Sequence, residues 1–128
     1  MHKGLLALAL LYTAVLTVAC LGPAPQSFEG AHSPDKILHI TATLVLFLCW
    51  YAYGRLVALR RKRFLYVISI ISIITFVYGM IIEVLQGALT DYRTADVYDL
   101  LANSAGILIG ILVVYVFRNQ INSLKTKF

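Results

Sequence analysis

Three groups of polar residues recur at helical spacing in an otherwise apolar chain. Asp35 and His39 are four apart and Glu83 and Gln86 three apart, while Asp96, Asp99, Asn103 and Gly106 follow at three, four and three. Such spacings put each group on one helix face. Acid–base work is one chemistry these residue types could do, with His39 or Glu83 as general base and Asp99 orienting it. Glu83, Asp96 and Asp99 could instead offer oxygen ligands to a divalent cation such as Mg²⁺ or Ca²⁺. Lys36 and Arg93, the two bases among the acids, could contact a phosphate or carboxylate. No serine has obvious partners for a nucleophilic role, and Cys49 lies too far along its segment to join the layer.

The elements that must position these residues are membrane spans. The chain has 128 residues, enough for one domain, with 60% hydrophobic and 13% charged residues. A soluble globule is usually about 45–50% apolar and about 25% charged. Four long stretches carry no charge: Gly4 to Phe28, Ile37 to Gly54, Phe64 to Ile82 and Leu100 to Phe117. Each provides roughly the 20 residues that a spanning helix needs. None shows the alternation of a barrel strand. The expected fold is all-α, a four-transmembrane-helix bundle spanning 1–128, with helices at roughly 4–22, 36–54, 64–86 and 97–117. Residues beyond 117 are assigned no element.

Charge fixes the expected topology. With the amino terminus inside, Glu29, Asp35, Glu83, Asp91, Asp96 and Asp99 all fall on the outer side. Lys3, Arg55, Arg60, Arg61, Lys62, Arg63, Arg118, Lys125 and Lys127 all fall inside, so both termini are cytoplasmic by the positive-inside rule. Only Lys36 and Arg93 break the partition. The net charge of +5 therefore reads as topogenic anchoring, with anionic lipid contact following from that location. It does not indicate nucleic-acid binding, since no aromatic stacking platform accompanies the bases. The first span is expected to stay as a signal anchor; the competing reading is cleavage before Cys20. A disulfide between Cys20 and Cys49 is not expected, because Cys49 lies about 20 Å down the second helix.

Local signals refine the spans. Ser33 can cap the second helix with Pro34 in its first turn, and Trp50 to Tyr53 read as an aromatic belt at the inner interface. Ser69, Ser72, Thr75 and Gly79 suggest a packing face on the third helix, as do Ala102, Gly106 and Gly110 on the fourth. Gly87 is expected to end the third helix, and Thr94 can cap the fourth. Ionisable groups about one or two turns below a span end are costly against lipid and should face the bundle interior. A polar pocket made by the second, third and fourth helices, opening outward, is the expected result.

The motif residues resemble the VanZ-like family of small bacterial membrane proteins over roughly residues 34 to 115. Asp35-Lys36-Ile37-Leu38-His39 is similar to the family's D-K-x-x-H, and Glu83-Val84-Leu85-Gln86 to its E-x-x-Q. The run from Arg93 to Gly106 is similar to its R-x-x-D-x-x-D-x-x-x-N-x-x-G, with Gly110 as the usual final glycine. The resemblance implies a multi-pass protein of the bacterial inner membrane, with a cell-envelope role in lowering susceptibility to glycopeptides such as teicoplanin. It implies no reaction and no cofactor.

Three functions compete on these residues. In the first, Asp35, Lys36, His39, Glu83, Gln86, Arg93, Asp96, Asp99 and Asn103 line a site for a lipid-linked envelope precursor or the lipophilic antibiotic. In the second, His39, Glu83 and Asp99, with or without a divalent cation, make a membrane enzyme acting on an envelope lipid. The third, a proton-coupled transporter, is weaker, because the inner half of every span lacks polar steps. A purely structural network stands against all three: Lys36 with Asp35 or Glu83, Arg93 with Asp91 or Asp96, and Asn103 as interhelical glue.

Overall fold

A computed structural model describes residues 2–22, 32–90 and 97–127, with side chains left undescribed at 32–35. Five α-helices follow in order: α1 His2–Leu21, α2 His32–Tyr53, α3 Phe64–Leu89, α4 Val97–Val116 and α5 Arg118–Lys127. A π-helical turn, Gly54–Ala58, extends α2. No strand occurs among the described residues. Four segments are long and apolar enough to cross a membrane: His2–Leu21, Lys36–Ala58, Phe64–Leu89 and Val97–Val116. Leu65, Val97, Leu108 and Leu112 are among the many large apolar side chains left exposed along them. A soluble fold would bury such residues; a bundle solvated by acyl chains has no reason to.

The helix α2 is central, packed most extensively on α4 and also on α1 and α3. Glycine makes the α2–α4 contact close. A methyl group on Gly106 would fall 2.5 Å from the Ile40 carbonyl oxygen, and one on Gly110 would fall 2.5 Å from the Phe47 ring. The Ala102–Gly106–Gly110 face is thus a packing seam, as its spacing suggests. Phe47 stacks on Tyr51 with ring centroids 6.0 Å apart, and these rings join Val67, Ile71, Ile107 and Val114 in an apolar core.

Several local expectations need correction. Tyr51 is a core residue and so leaves the expected belt, while the half-buried Trp50 indole donates to Thr13 Oγ1 of α1 at 3.0 Å. An aromatic pair before a basic residue has the same sequence signature in either place. Helix α3 runs past Gly87 to Leu89, with Thr90 bonding back to the Gln86 carbonyl. On α3, Thr75 and Gly79 are buried, Ser72 is half-buried, and Ser69 is exposed and bonds the Leu65 carbonyl, so Ser69 leaves the proposed packing face. Helix α2 begins at His32, which puts Ser33 inside it. Cys20 and Cys49 form no disulfide with each other. Thr94 lies outside the described residues.

The end of α2 departs most from expectation. The Leu59 amide bonds the Gly54 carbonyl at 2.7 Å, closing the wide turn. Arg55 within it is only 6% exposed. Its guanidinium donates to the Lys62 carbonyl at 2.9 Å and to Asn122 Oδ1 of α5 at 2.8 Å. Arg55 is therefore a clamp between α2, the following loop and α5, a helix that hydropathy does not announce.

Candidate functional site

The polar layer lies at the end of the bundle where α2 and α4 begin and α3 finishes. Lys36, His39 and Thr43 are spaced by three and four on α2, so they share the face that meets α4. Asp99 and Asn103 are four apart on α4 and are both buried. The two stripes interlock. The Lys36 ammonium donates to Asp99 Oδ1, while His39 Nε2 lies 3.5 Å from Asp99 Oδ2. One turn deeper, the Thr43 hydroxyl donates to Asn103 Oδ1 at 2.7 Å.

Asp99 is thus held by two basic groups from the neighbouring helix. Its side chain is 10% exposed, as is that of His39, whereas the Lys36 side chain is 25% exposed. Lys36 also lies over the Tyr98 ring at 5.9 Å. The cluster is therefore a partly open ion pair, with the lysine on its accessible side. The expected partner of Lys36 is Asp35 or Glu83; among the described contacts Lys36 reaches Asp99, which the glycine seam brings close, while the Asp35 side chain lies outside the described residues.

Gly79 of α3 lets Asn103 fit. A methyl group there would fall 3.0 Å from the Asn103 amide nitrogen. Below the charged cluster a cavity of about 20 Å³ is lined by His39, Thr43, Thr75, Tyr78, Asn103 and Cys20. It is wide enough for a single water with several polar partners. Among the described residues, this small cavity lies between α2, α3 and α4, and α1 also contributes to it.

Glu83 and Gln86 share the buried face of α3, at 6% and 2% exposure. The Gln86 amide donates to the Cys20 carbonyl of α1 at 2.8 Å. Cys20 is next to the last residue of α1, where carbonyls lose their helical donors. Gln86 therefore caps α1. Two further bonds tie α1 to the bundle: Thr17 and Tyr78 share a hydroxyl contact of 2.8 Å, and Tyr12 donates to the Ala42 carbonyl at 2.9 Å.

Of the expected site residues, Lys36, His39 and Asp99 come together, and Asn103 joins them through Thr43. Gln86 faces α1. The Asp35 side chain, Arg93 and Asp96 lie outside the described residues, as does the Arg93 pairing with Asp91 or Asp96. Sequence reasoning missed Thr43, although its spacing of four from His39 marks it as the next residue on the stripe. It also missed Tyr78, which carries no charge to attract notice, and read Thr75 only as a packing position.

Both Asp99 oxygens already face basic groups, and among the described residues no three of His, Cys, Asp and Glu converge. A cation on Glu83, Asp96 and Asp99 would compete with Lys36 for Asp99, and Asp96 lies outside the described residues.

A protein-family model described as VanZ/LLP1 matches residues 9–118, which include the last three spans whole, most of the first, and every residue of the polar layer. The chain belongs to the VanZ/LLP1 family. Comparisons with curated proteins and with solved structures find no match. Family membership and the four apolar helices together make this a VanZ-like, multi-pass membrane protein.

Proposed function

We propose that the polar layer of this VanZ-like protein binds the anionic headgroup of a lipid-linked envelope precursor and thereby lowers susceptibility to glycopeptides such as teicoplanin. In this reading the acidic end faces outward from the bacterial inner membrane and both termini are cytoplasmic. That orientation follows from the concentration of Lys and Arg at the opposite end. The observation that carries the proposal is the Lys36–Asp99 pair with His39 beside it, a partly exposed ion cluster at the mouth of an apolar bundle. Intramembrane charges of this kind are costly and usually mark a ligand path. A phosphate or carboxylate at the mouth could exchange with Asp99 as the partner of Lys36, and Asp99 would keep His39. Arg93 supplies the second cation of the motif. The cavity below is too small for a headgroup, so in this reading the ligand sits at the mouth.

The test compares the parent with Lys36→Gln and Arg93→Gln, expressed at equal levels in a teicoplanin-sensitive host. Both variants are expected to lose protection together with their lipid-extract binding. Undiminished binding and protection in both would sink the proposal.

One observation favours a second reading, a membrane enzyme acting on an envelope lipid. His39 lies against the Asp99 carboxylate as a general base lies against its orienting acid. Purified protein incubated with native lipid extract, with and without divalent metal, would then form a new lipid species. A lipid profile unchanged in both conditions removes this reading.

A further inference from the structure

The opposite end of the molecule carries a second site built from cations. Residues 50–81 and 100–128, which make up that end of α2, α3 and α4 and all of α5, contain no acidic residue. No acidic side chain in those segments offsets the cationic side chains of Arg55, the Arg60–Arg63 run, Arg118, Lys125 and Lys127. The loop from Val57 to Lys62 and the side of α5 at Lys125 enclose a pocket of about 600 Å³, with Arg60, Arg61, Lys62 and Lys125 on its walls.

The pocket is framed rather than flexible. Arg60 donates to the Lys125 carbonyl at 2.6 Å, bridging loop and α5, and the Lys62 amide bonds the Leu59 carbonyl at 2.9 Å. Arg55 fastens both walls from behind, and its Nε is buried with no hydrogen-bond partner among the described residues. Partial burial, and then the nearby charges of Arg55 and Arg60, hold the Lys125 ammonium below the ordinary lysine range. Cations crowded this closely, in excess of any acidic side chain near them in sequence, favour a bound anion.

We propose that this pocket seats the phosphate of an anionic phospholipid headgroup from the adjoining leaflet. Position selects a lipid over a soluble anion. The pocket lies at the ends of the spans, and two exposed tyrosines flank it: Lys62 lies over Tyr66 at 5.6 Å and Arg118 over Tyr115 at 4.5 Å. Tyrosines so placed settle at headgroup level. Cations spread along the surface would give only diffuse attraction. A framed pocket adds directed hydrogen bonds to one headgroup. The site is independent of the polar layer at the other end.

The experiment is native mass spectrometry of the full chain in detergent, with equimolar phosphatidylglycerol and phosphatidylcholine added. The parent is expected to retain phosphatidylglycerol on the order of tenfold over phosphatidylcholine, the effect of one or two charge-assisted bonds. Arg61→Gln/Lys125→Gln should bring that ratio close to one. Neither change touches the frame, because Arg60 holds the Lys125 carbonyl and not its ammonium. Arg118→Gln/Lys127→Gln removes the same charge elsewhere and should keep most of the preference. Equal losses in the two double variants would overturn the proposal in favour of diffuse attraction. Inorganic phosphate supplies the other arm. Thermal stabilisation by phosphate alone, with no preference between the lipids, would overturn it in favour of a soluble anion.

Discussion

Asp99 and Asn103 show how polar side chains remain at membrane depth. Each finds its partner on α2, within a turn of the other. Thr43→Val keeps the shape of the threonine but removes the donor to Asn103 Oδ1. Interhelical bonds in bilayers average well under 2 kcal/mol, while an abandoned buried acceptor costs about 1–3 kcal/mol. A loss of about 1–2 kcal/mol is expected for Thr43→Val in reversible unfolding from mixed micelles, and an unchanged stability would mean that the amide has another donor. The Lys36–Asp99 pair answers to a different test. Lys36→Met or Asp99→Leu alone should destabilise by about 1–2 kcal/mol, discounted from the value for a fully buried pair because Lys36 is partly exposed. The double variant should recover part of that loss. Strict additivity would show that the two charges do not interact in the bilayer.

Among the elements, the α2–α4 seam sets the distance on which the site depends. Gly106→Ala would push a methyl group into the Ile40 carbonyl, which is backbone and cannot swing away. Overpacking of this kind costs about 1–3 kcal/mol. The same change at Gly79 meets only the Asn103 side chain and should cost less. Comparable losses at the two positions would contradict the seam. The π turn makes a second element-level prediction. Arg55→Met should release α5 and the following loop, raising hydrogen–deuterium exchange across 118–127 and leaving α1 unchanged; unaltered exchange would remove the clamp. These elements differed in how readable they were. The spans follow from uncharged length, and the Gly106–Gly110 seam from spacing. The role of Arg55 was hidden, because charge topology treats every base on that side alike and nothing local marks a π turn. Thr43 was readable from its spacing to His39 but carries no charge. The cap that Gln86 provides depends on where α1 ends in space, which no local pattern encodes.

At the scale of the whole molecule, the bundle separates two electrostatic ends with an apolar middle. The acidic end holds Lys36, His39 and Asp99 in one cluster with the Thr43–Asn103 bond a turn below, and the other end holds a set of cations with Arg55 as its clamp. Charge partition in the sequence foretold this separation, but not that either end would be built into a defined structure. The functional account rests on the acidic end being a binding site and not only a fastening between α2 and α4. The most direct measurement is native mass spectrometry of lipids that co-purify with the full chain from bacterial membranes. Parent protein is compared with Lys36→Gln and with Trp50→Phe, which loses a bond to Thr13 away from the cluster. The account predicts a phosphate-bearing, lipid-linked species on the parent and on Trp50→Phe, depleted at least severalfold on Lys36→Gln. The same lipid profile on all three would contradict it.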